Sequence, residues 1–553
     1  MNLLAFLKHE SHESWKLILA MATLSGVANG ALLAIINLGA DVSGAENSSD
    51  FEKPNLLLLF AVAMAIFVYS KRFSLVLSTK VVENMMRNAR IRICDKIRKS
   101  DLPTVERLDK SAAYTRISQD TSTVSQSAFV IIVAGQEAIM LGFALLYLAW
   151  LSVAAFLVTV SGAALALYVY RYHTQAVHEE LRTVANKEAE LLNSLGHIFY
   201  GFKELRLNQS KSDSLFGALT EIADATRDAK SRAGVLFATS ILFSQIFFYT
   251  LMAAVVFVLP QYVPMLSGTI TKMTSAILFI IGPMTMVVGA GPTLARADVA
   301  LDSLYTLERR IDQSQSARGA TGGPPLPSFE HFRRIVLGDV TFAYLDPEGA
   351  PLFTVGPLRL KVNRGEIIFI VGGNGSGKST FLKLLTGLYL PSSGNITVDD
   401  RDLNATNAQG YRELFAAIFT DFHLFDRLYG MEDVSEGRVV ELIREMELEE
   451  KVRFEGNHFS TLELSTGQRK RLALIIALLE DKSIYVFDEW AADQDQHFRK
   501  RFYEEILLNL KSQGKTILAA THDDQYWHVA DRVVKLDLGR IVSDAPYPSR
   551  ADG

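Results

Sequence analysis

The sequence contains almost no cysteine. Cys94 is the one cysteine among 553 residues, so the chain cannot form an internal disulfide and a disulfide-stabilised fold is excluded. Cys94 is interpreted as one position on a helix, because its neighbours are basic: Arg90, Arg92, Lys96 and Arg98.

A basic excess is also missing, because the formal net charge is −5. Nucleic-acid-binding proteins carry clustered positive charge, and the composition gives no support for such a partner. We expect no nucleic acid among the partners of this chain.

The N-terminal region lacks a small-residue cleavage site. Lys8, His9 and Lys16 stand at the start of a long apolar segment, as in a signal peptide, but nothing resembling a cleavage motif follows. We therefore expect an uncleaved first membrane helix.

Long apolar runs are abundant. The chain is 49% hydrophobic, which indicates that part of it lies in lipid. One nearly uncharged block, residues 128–170, is too long for a single crossing and is expected to split near Trp150 and Ser152. The remaining runs are residues 15–38, 55–76, 234–259 and 270–290. Residues 1–311 are therefore predicted to form a transmembrane domain of six helices in a lipid bilayer.

Two long polar stretches, residues 77–127 and 171–232, connect these spans. Basic residues cluster beside the span ends that face them, whereas the short loops have almost none; they are Lys71, Arg72, Arg171, Lys230 and Arg232. The positive-inside rule puts both long loops and both termini in the cytoplasm. Inside the membrane, Glu137 beside Gln136 is interpreted either as a cavity residue or as a partner in an interhelical hydrogen bond.

A change in composition marks the end of the membrane region. Residues 312–331 are rich in Ser, Gly and Pro and are predicted to form a linker. Residues 332–553 then alternate apolar strands with helical patterns; the strands are expected at 340–342, 358–362, 483–487 and 516–520. This alternation predicts an α/β domain with a largely parallel core sheet.

The stretch Val-Gly-Gly-Asn-Gly-Ser-Gly-Lys-Ser-Thr at residues 371–380 fits the pattern GxxxxGK[ST]. It follows the apolar run 366–371 and precedes a helical pattern at 381–387, which is the order of a phosphate-binding loop. A chance glycine turn is the alternative. The predicted phosphate ligands are Gly373, Asn374, Gly375, Ser376, Gly377, Lys378, Ser379 and Thr380. Lys378 would reach the β- and γ-phosphates of a nucleoside triphosphate, and Ser379 would bind Mg²⁺.

Two further strand ends carry polar residues. The apolar strand 484–487 ends in Asp488 and Glu489, which would hold Mg²⁺ through water and polarise the attacking water, respectively. His522 follows the strand 516–520 and is predicted at the same edge of the sheet.

Residues 464–471, Leu-Ser-Thr-Gly-Gln-Arg-Lys-Arg, open a helical pattern. They resemble the LSGGQ signature of ATP-binding cassette (ABC) proteins, with Thr466 in place of the first glycine. Phosphate loop, signature, Asp-Glu pair and histidine come in the family's order over residues 332–545. The whole chain resembles an ABC exporter half-transporter, an α-helical six-span transmembrane domain fused to a cytosolic α/β P-loop ATP-binding cassette.

The resemblance implies roles for named residues. Tyr344 would stack on adenine, Asp488 and Ser379 would bind Mg²⁺, Glu489 would act as the base, and His522 would contact the γ-phosphate. Ser465, Gly467 and Gln468 would complete the ATP site of a partner subunit. The chain is therefore expected to act as a homodimer or as half of a heterodimer.

Some residues depart from the common cassette pattern. Thr420 stands where a glutamine is usual, and residues 490–495 read Trp-Ala-Ala-Asp-Gln-Asp where Ala-Thr-Ser-Ala-Leu-Asp is common. No extra N-terminal peptidase domain is recognised. These stretches, with Thr-His-Asp-Asp at 521–524, resemble the exporters of cyclic and siderophore peptides, of the pyoverdine, syringomycin and microcin types.

The expected function is ATP-driven export of a cyclic or modified peptide across the bacterial inner membrane. A multidrug or lipid exporter uses the same parts, and a soluble cassette ATPase or a non-hydrolysing ATP-gated channel subunit are more distant alternatives. Residues 113–118 and 196–201, near the tips of the long loops, are predicted to touch the cassettes, or else to be plain solvated helix.

Overall fold

The computed structural model describes residues 14–44, 52–108, 110–262, 267–316, 329, 332–346 and 350–547. Lys8, His9, the side chain of Arg171 and most of the predicted linker 312–331 lie outside the described part. The chain forms two compact units. The first comprises Met1–Lys99 and Leu108–Asp312, and the second comprises Ser100–Arg107 and Gln313–Gly553.

The first unit is helical. Its helices are Ser14–Gly44, Glu52–Arg98, Lys110–Thr115, Thr121–Leu151, Val153–Tyr200, Phe202–Leu207, Gln209–Ala253 and Leu259–Tyr262, together with Ser267–Ser316, which begins in this unit. Among the described residues, 5 helical stretches are long and apolar enough to cross a membrane: Lys16–Gly39, Pro54–Arg98, Ala113–Leu151, Gln209–Tyr262 and Thr269–Asp312. The remaining predicted span falls on Val153–Tyr200, whose described apolar part is Val153–Leu165.

A single residue separates the third and fourth predicted spans. Ser152 has extended backbone with φ −160° and ψ 114°, which interrupts the helical path after Leu151. Its hydroxyl accepts a hydrogen bond from the N–H of Ala155 at 3.3 Å and so caps the next helix. The predicted split near Trp150 and Ser152 is confirmed.

Polar side chains join the helices Glu52–Arg98 and Thr121–Leu151. Lys71 Nζ donates to Glu137 Oε1 at 3.0 Å, and Gln136 Nε2 donates to the Ser74 hydroxyl at 2.8 Å. The Glu137 side chain is only 15% exposed. The structure therefore shows the second interpretation of Glu137, an interhelical hydrogen bond, with Lys71 as the partner.

The second unit contains the strands. They are β1 (Arg334–Leu345), β2 (Pro351–Asn363), β3 (Ile367–Val371), β4 (Ser393–Val398), β5 (Arg401–Asp402), β6 (Phe415–Ile418), β7 (Phe454–Glu455), β8 (His458–Phe459), β9 (Ile484–Asp488), β10 (Thr516–Ala520), β11 (Arg532–Asp537) and β12 (Arg540–Pro546). A 6-stranded sheet has the order β12-β11-β3-β10-β9-β6. Its pairs are parallel except for β11 with β12, so the predicted parallel core sheet is confirmed.

Helices cover both faces of this sheet. The α-helices of the unit are Leu102–Arg107, Lys378–Leu385, Ala408–Arg412, Glu436–Glu445, Thr466–Glu480, Gln496–Arg501 and Leu507–Ser512. Every residue of β3 is buried, and alternate side chains enter different cores: Phe369 packs in the core that contains Leu474, whereas Ile370 packs in the core that contains Phe381. A strand buried on both faces reads as a continuous apolar run, which is why the sequence located it.

A second sheet was not predicted as such. It has the order β2-β1-β4-β5, and β1 pairs antiparallel with both β2 and β4. The predicted strands 340–342 and 358–362 are parts of β1 and β2. Ile335 and Leu360 of this sheet share a core with Ile368 of β3, so the two sheets pack on one apolar layer.

We predict that Lys71→Met destabilises the protein more than Glu137→Gln does. Lys71→Met leaves a mostly buried carboxylate without its cation. Glu137→Gln instead leaves Lys71 without its anion, but Lys71 is 32% exposed and can turn toward a more polar environment. We expect a loss of about 1–2 kcal/mol for Lys71→Met, measured as a lower melting temperature in detergent. The double variant should recover part of that loss; additive losses would contradict a direct pairing.

Candidate functional site

The register of three strands brings the predicted site residues to one edge of the core sheet. In β10, Ala520 lies opposite Ile370 of β3 on one side and opposite Asp488 of β9 on the other. The residues that follow these strand ends therefore meet at the carboxyl edge, where parallel sheets bind ligands. Those residues are the phosphate loop, Glu489 and His522.

The phosphate loop connects β3 to the helix Lys378–Leu385. Gly377 precedes the helix with φ +98°, and a side chain on Gly372 would come within 2.3 Å of the carbonyl oxygen of Leu536, so both positions require glycine. No side chain caps the helix, which leaves its first N–H groups available to an anion. The buried Ser376 hydroxyl also has no hydrogen-bond partner among the described residues. The loop therefore has the donors that a phosphate chain needs.

Lys378 lies at the centre of the site and is only 5% exposed. Its Nζ donates to the carbonyl oxygens of Gly372 at 3.1 Å and Gly373 at 3.3 Å, and it lies 3.4 Å from Glu489 Oε1. The loop backbone and the glutamate thus compensate a buried positive charge.

His522 bridges this lysine and the glutamate. Its Nε2 lies 3.1 Å from Lys378 Nζ and 3.1 Å from Glu489 Oε1. A protonated Nε2 donates to the carboxylate, whereas an unprotonated Nε2 accepts from the lysine, so the tautomer decides which hydrogen bond forms. The structure brings together the three residues for which catalytic roles were predicted.

Asp488 ends β9 and is 1% exposed. Neither of its carboxylate oxygens accepts a hydrogen bond of normal geometry from the described residues. Burial raises the pKa of Asp488, and the nearby Glu489 charge adds to this, while the Ser379 hydroxyl and Lys378 act in the opposite direction. A buried carboxylate with unused oxygens beside a serine hydroxyl fits a hard divalent cation such as Mg²⁺.

Tyr344, near the end of β1, adjoins the phosphate loop. Its hydroxyl lies 3.1 Å from the Thr380 hydroxyl and 3.2 Å from the Tyr389 hydroxyl. The rings of Phe342 and Tyr389 surround it at centroid distances of 5.3 Å and 6.0 Å. The structure places this aromatic side chain next to the last predicted phosphate ligand.

The signature residues begin the helix Thr466–Glu480. Ser465 and Gln468 form a capping box: the Ser465 hydroxyl accepts from the Gln468 N–H, and the Gln468 side chain accepts from the Ser465 N–H. The Gly467 carbonyl accepts from Gln494 Nε2 at 3.0 Å. These contacts connect the signature to residues after β9 and not to the phosphate loop.

One contact in the second unit, between the helix Leu102–Arg107 and the cassette core, was not predicted from the sequence. The helix Leu102–Arg107 joins the cassette core, where Leu102 packs against the apolar cluster containing Phe381. Glu106 accepts from Lys383 Nζ at 2.8 Å on one oxygen and from the Tyr389 hydroxyl at 2.5 Å on the other. Because Tyr389 also contacts Tyr344, a chain of hydroxyl contacts connects Glu106 to the side of the phosphate loop.

The electrostatics agree with this contact. Burial by itself lowers the pKa of Lys383, but its bond to Glu106 and the negative charges of Glu106 and Asp421 outweigh burial, so the net pKa is raised. The ammonium therefore stays charged in its half-buried position.

The segment that packs with the cassette core is Ser100–Arg107, which no sequence pattern predicted. Residues 113–118 belong to the first unit, and their contact with the cassettes stays a prediction. Residues 196–201 end the helix Val153–Tyr200 with Phe199 and Tyr200 exposed, and their role stays a prediction. The Asp101-Leu102-Pro103 sequence could have marked a helix restart, since proline favours a first helical turn.

Thr420 lies two residues beyond the end of β6 and is exposed. Its position after this strand is the one expected from the sequence.

Comparison with known proteins places this geometry in a family. The model of the ABC transporter family matches residues 355–492. The chain is 33% identical over 550 residues to the ATP-binding protein SyrD of Pseudomonas syringae pv. syringae, covering 97% of this chain and 95% of SyrD. The chain is an ABC exporter half-transporter.

Two more comparisons describe this exporter. A solved structure of a bacterial Atm1-family ABC exporter with ATP bound has a TM-score of 0.79, covers 96% of this chain and 94% of its own, and shares 17% identity, which shows the fold. The probable syringafactin export ATP-binding/permease protein SyfD of P. syringae pv. syringae strain B728a is 30% identical over 224 residues, 38% of this chain and 33% of SyfD. The exporter is thus a multi-pass membrane protein with a cytosolic cassette whose ATP hydrolysis is coupled to transport.

We predict that Glu106→Ala increases amide hydrogen exchange in the peptide covering residues 100–107. A helix of six residues is marginal alone and depends on tertiary contacts, and this change removes both bonds at the carboxylate. Tyr389→Phe, which removes one of the two, should give a smaller increase.

Tyr411→Phe is the matched control, because Tyr411 is a buried tyrosine of the same core whose hydroxyl donates to the Leu385 carbonyl. It should leave exchange in residues 100–107 unchanged. Equal exchange in the wild type and the Glu106 variant would show that these bonds do not hold the segment.

Proposed function

We propose that the exporter uses ATP to move a cyclic or modified peptide, such as a siderophore precursor, a lipopeptide or a microcin, from the cytoplasm to the periplasm across the bacterial inner membrane. The observation that carries this proposal is the full-length similarity to SyrD, which extends through the membrane helices as well as the cassette. The similarity to SyfD, described as a probable syringafactin export protein, extends over 38% of this chain and supports an export function.

The domain roles follow the exporter fold. We assign residues 1–311 to the transmembrane domain, 312–331 to the linker and 332–553 to the ATP-binding cassette. The segment Ser100–Arg107 is added to the cassette side, because it packs in the core of that unit. If this segment moves with the cassette, it would transmit the conformational change that accompanies ATP hydrolysis to the helix Glu52–Arg98, which ends just before it in the chain.

The ATP site is assigned residue by residue. Tyr344 stacks on the adenine, and the N–H groups of Gly373, Asn374, Gly375, Ser376, Gly377 and Thr380 hold the phosphates together with Lys378. Glu489 accepts a proton from the attacking water. His522 is hydrogen-bonded to Glu489 Oε1, so it orients that carboxylate, and it also contacts the γ-phosphate. Lys378 stabilises the charge that builds on the phosphate oxygens.

Ser379 and Asp488 are the residues that would hold Mg²⁺. When bound, the ion supplies positive charge next to the β- and γ-phosphate oxygens. The unused oxygens of Asp488 support this assignment.

A second copy of the chain completes each site in this proposal. Ser465, Gly467 and Gln468 begin a helix whose contacts run to residues after β9, so within one chain they have no partner in the phosphate loop. Facing a second copy, the Gly467 N–H and the positive end of the helix Thr466–Glu480 suit the γ-phosphate of the partner's ATP. We therefore assign a homodimer with two shared sites.

Glu489→Gln should retain ATP binding and lose hydrolysis by about a hundredfold or more, because the amide cannot accept the proton. Lys378→Ala should weaken both binding and hydrolysis. Binding of a fluorescent ATP analogue and phosphate release by purified protein measure the two effects separately. Wild-type turnover in the Glu489 variant would sink the assignment of the base.

Transport in proteoliposomes tests the cargo. With cassettes facing outward, ATP should drive accumulation of a cyclic lipopeptide or siderophore-precursor peptide in the lumen, and Glu489→Gln protein should give none. A fluorescent phospholipid and a cationic dye serve as comparison cargoes. Movement of the lipid or the dye without the peptides would favour the flippase or multidrug alternative.

A further inference from the structure

The loop that follows Glu489 differs from the common cassette sequence, and the differing residues contact the signature helix. Residues 490–495 are Trp-Ala-Ala-Asp-Gln-Asp, so Trp490, Asp493 and Gln494 replace alanine, alanine and leucine of the common form. Each of the three adjoins the first residues of the helix Thr466–Glu480. We call Gly467, Lys470, Trp490, Asp493 and Gln494 the clamp.

Lys470 forms the centre of the clamp. Its Nζ donates to the backbone carbonyl of Glu489 at 2.8 Å and pairs with Asp493 Oδ2 at 2.6 Å. The side chain is only 5% exposed. A buried ammonium needs such partners, and one of the two it has is the backbone of Glu489.

The backbone of Glu489 needs to be held. It has φ +51°, in the left-handed region that a non-glycine residue occupies at a cost of about 1–3 kcal/mol. Such a conformation persists only when the surroundings fix it. The Ala520 carbonyl accepts from the Glu489 N–H at 3.0 Å on one side, and Lys470 binds its carbonyl on the other.

The remaining clamp residues fix the loop to the signature. The Trp490 indole N–H donates to the Lys470 carbonyl at 3.0 Å, and its ring stacks on Phe502 at 4.3 Å. Gln494 donates to the Gly467 carbonyl. A side chain on Gly467 would come within 2.8 Å of the Asp493 carbonyl oxygen, so the loop and the signature backbone lie in direct contact. The start of the signature helix cannot shift without moving the loop that follows Glu489.

We propose that Lys470 is a positioning residue for Glu489 and that the clamp transmits movements of the signature helix to it. The inference rests on the proposed function, in which Glu489 serves the ATP site of its own chain and the signature serves the partner's site. A contact inside one chain then connects the two ATP sites of the dimer. When ATP in the partner's site binds against the signature of one copy, the clamp therefore adjusts Glu489 of that copy. This Glu489 serves the other ATP site of the dimer.

Lys470→Met tests the proposal in the full-length protein, since it keeps an apolar side chain of similar length without the donor. We expect kcat for ATP hydrolysis to fall about tenfold to a hundredfold, because a small misplacement of a catalytic group has effects of this size. ATP binding should stay within about twofold of wild type because no phosphate ligand is changed. The Hill coefficient for ATP should fall toward one, and Lys470→Arg should recover part of kcat.

Lys511→Met is the matched control. Lys511 is a partly buried lysine of the same unit that pairs with Asp531 at 2.5 Å, away from the ATP site. Gln494→Leu is a second test that restores the leucine of the common loop and leaves Lys470 in place. It should lower the Hill coefficient with a smaller loss of kcat.

Mixed dimers distinguish positioning from a general loss of structure. With Glu489→Gln in one copy, one intact Glu489 remains. Lys470→Met should reduce turnover more when it lies in the copy with the intact Glu489 than when it lies in the other copy. Equal losses in both arrangements would overturn a route through the Glu489 carbonyl.

The outcomes separate this inference from its foundation. Wild-type kcat and Hill coefficient in both Lys470→Met and Gln494→Leu, with inactive Glu489→Gln, would overturn the clamp alone. Undiminished hydrolysis in Glu489→Gln would overturn the proposed role of Glu489 as the base, on which the clamp rests.

Discussion

The site depends on the parallel register of β3, β10 and β9. Ala520 pairs with Ile370 and with Asp488, so three segments far apart in sequence leave the sheet at one level. Since neighbouring strand residues face opposite ways, a shift of one residue would turn Asp488 to the other face. The apolar cores on both sides of these fully buried strands fix the register.

The end of β9 gives two adjacent carboxylates different chemical properties. Asp488 is the last strand residue, lies buried and has a raised pKa. Glu489 leaves the strand in a left-handed conformation, is 34% exposed and meets both His522 and Lys378. One turn of the backbone thus separates a buried carboxylate suited to a metal from a partly exposed carboxylate, to which the proposed function assigns the role of base.

The sequence predicted features whose cause is local. The strand Thr516–Ala520 and the phosphate loop were located because a doubly buried strand is a short apolar run and the loop needs glycine at fixed positions. The break at Ser152 followed from the length of an uncharged block.

The antiparallel sheet of β1, β2 and β4 was not recognised, because half-buried strands carry a weaker pattern. Contacts between distant residues, such as Glu106 with Tyr389 or Lys71 with Glu137, leave no mark in the spacing of either partner. The unusual loop 490–495 was recognised as different, but its partner Lys470 became known only from the fold.

The second unit is discontinuous in sequence, since it includes Ser100–Arg107 as well as the residues after Asp312. A truncated protein that began at residue 332 would lack the helix Leu102–Arg107. Its core would expose the apolar surface that Leu102 covers, and Lys383 and the Tyr389 hydroxyl would lose the carboxylate they share. The aromatic group around Tyr344 would then border solvent on that side. Kinetic constants obtained on such an isolated cassette would therefore describe an ATP site with an altered wall, and full-length protein is the appropriate material for measuring nucleotide affinity.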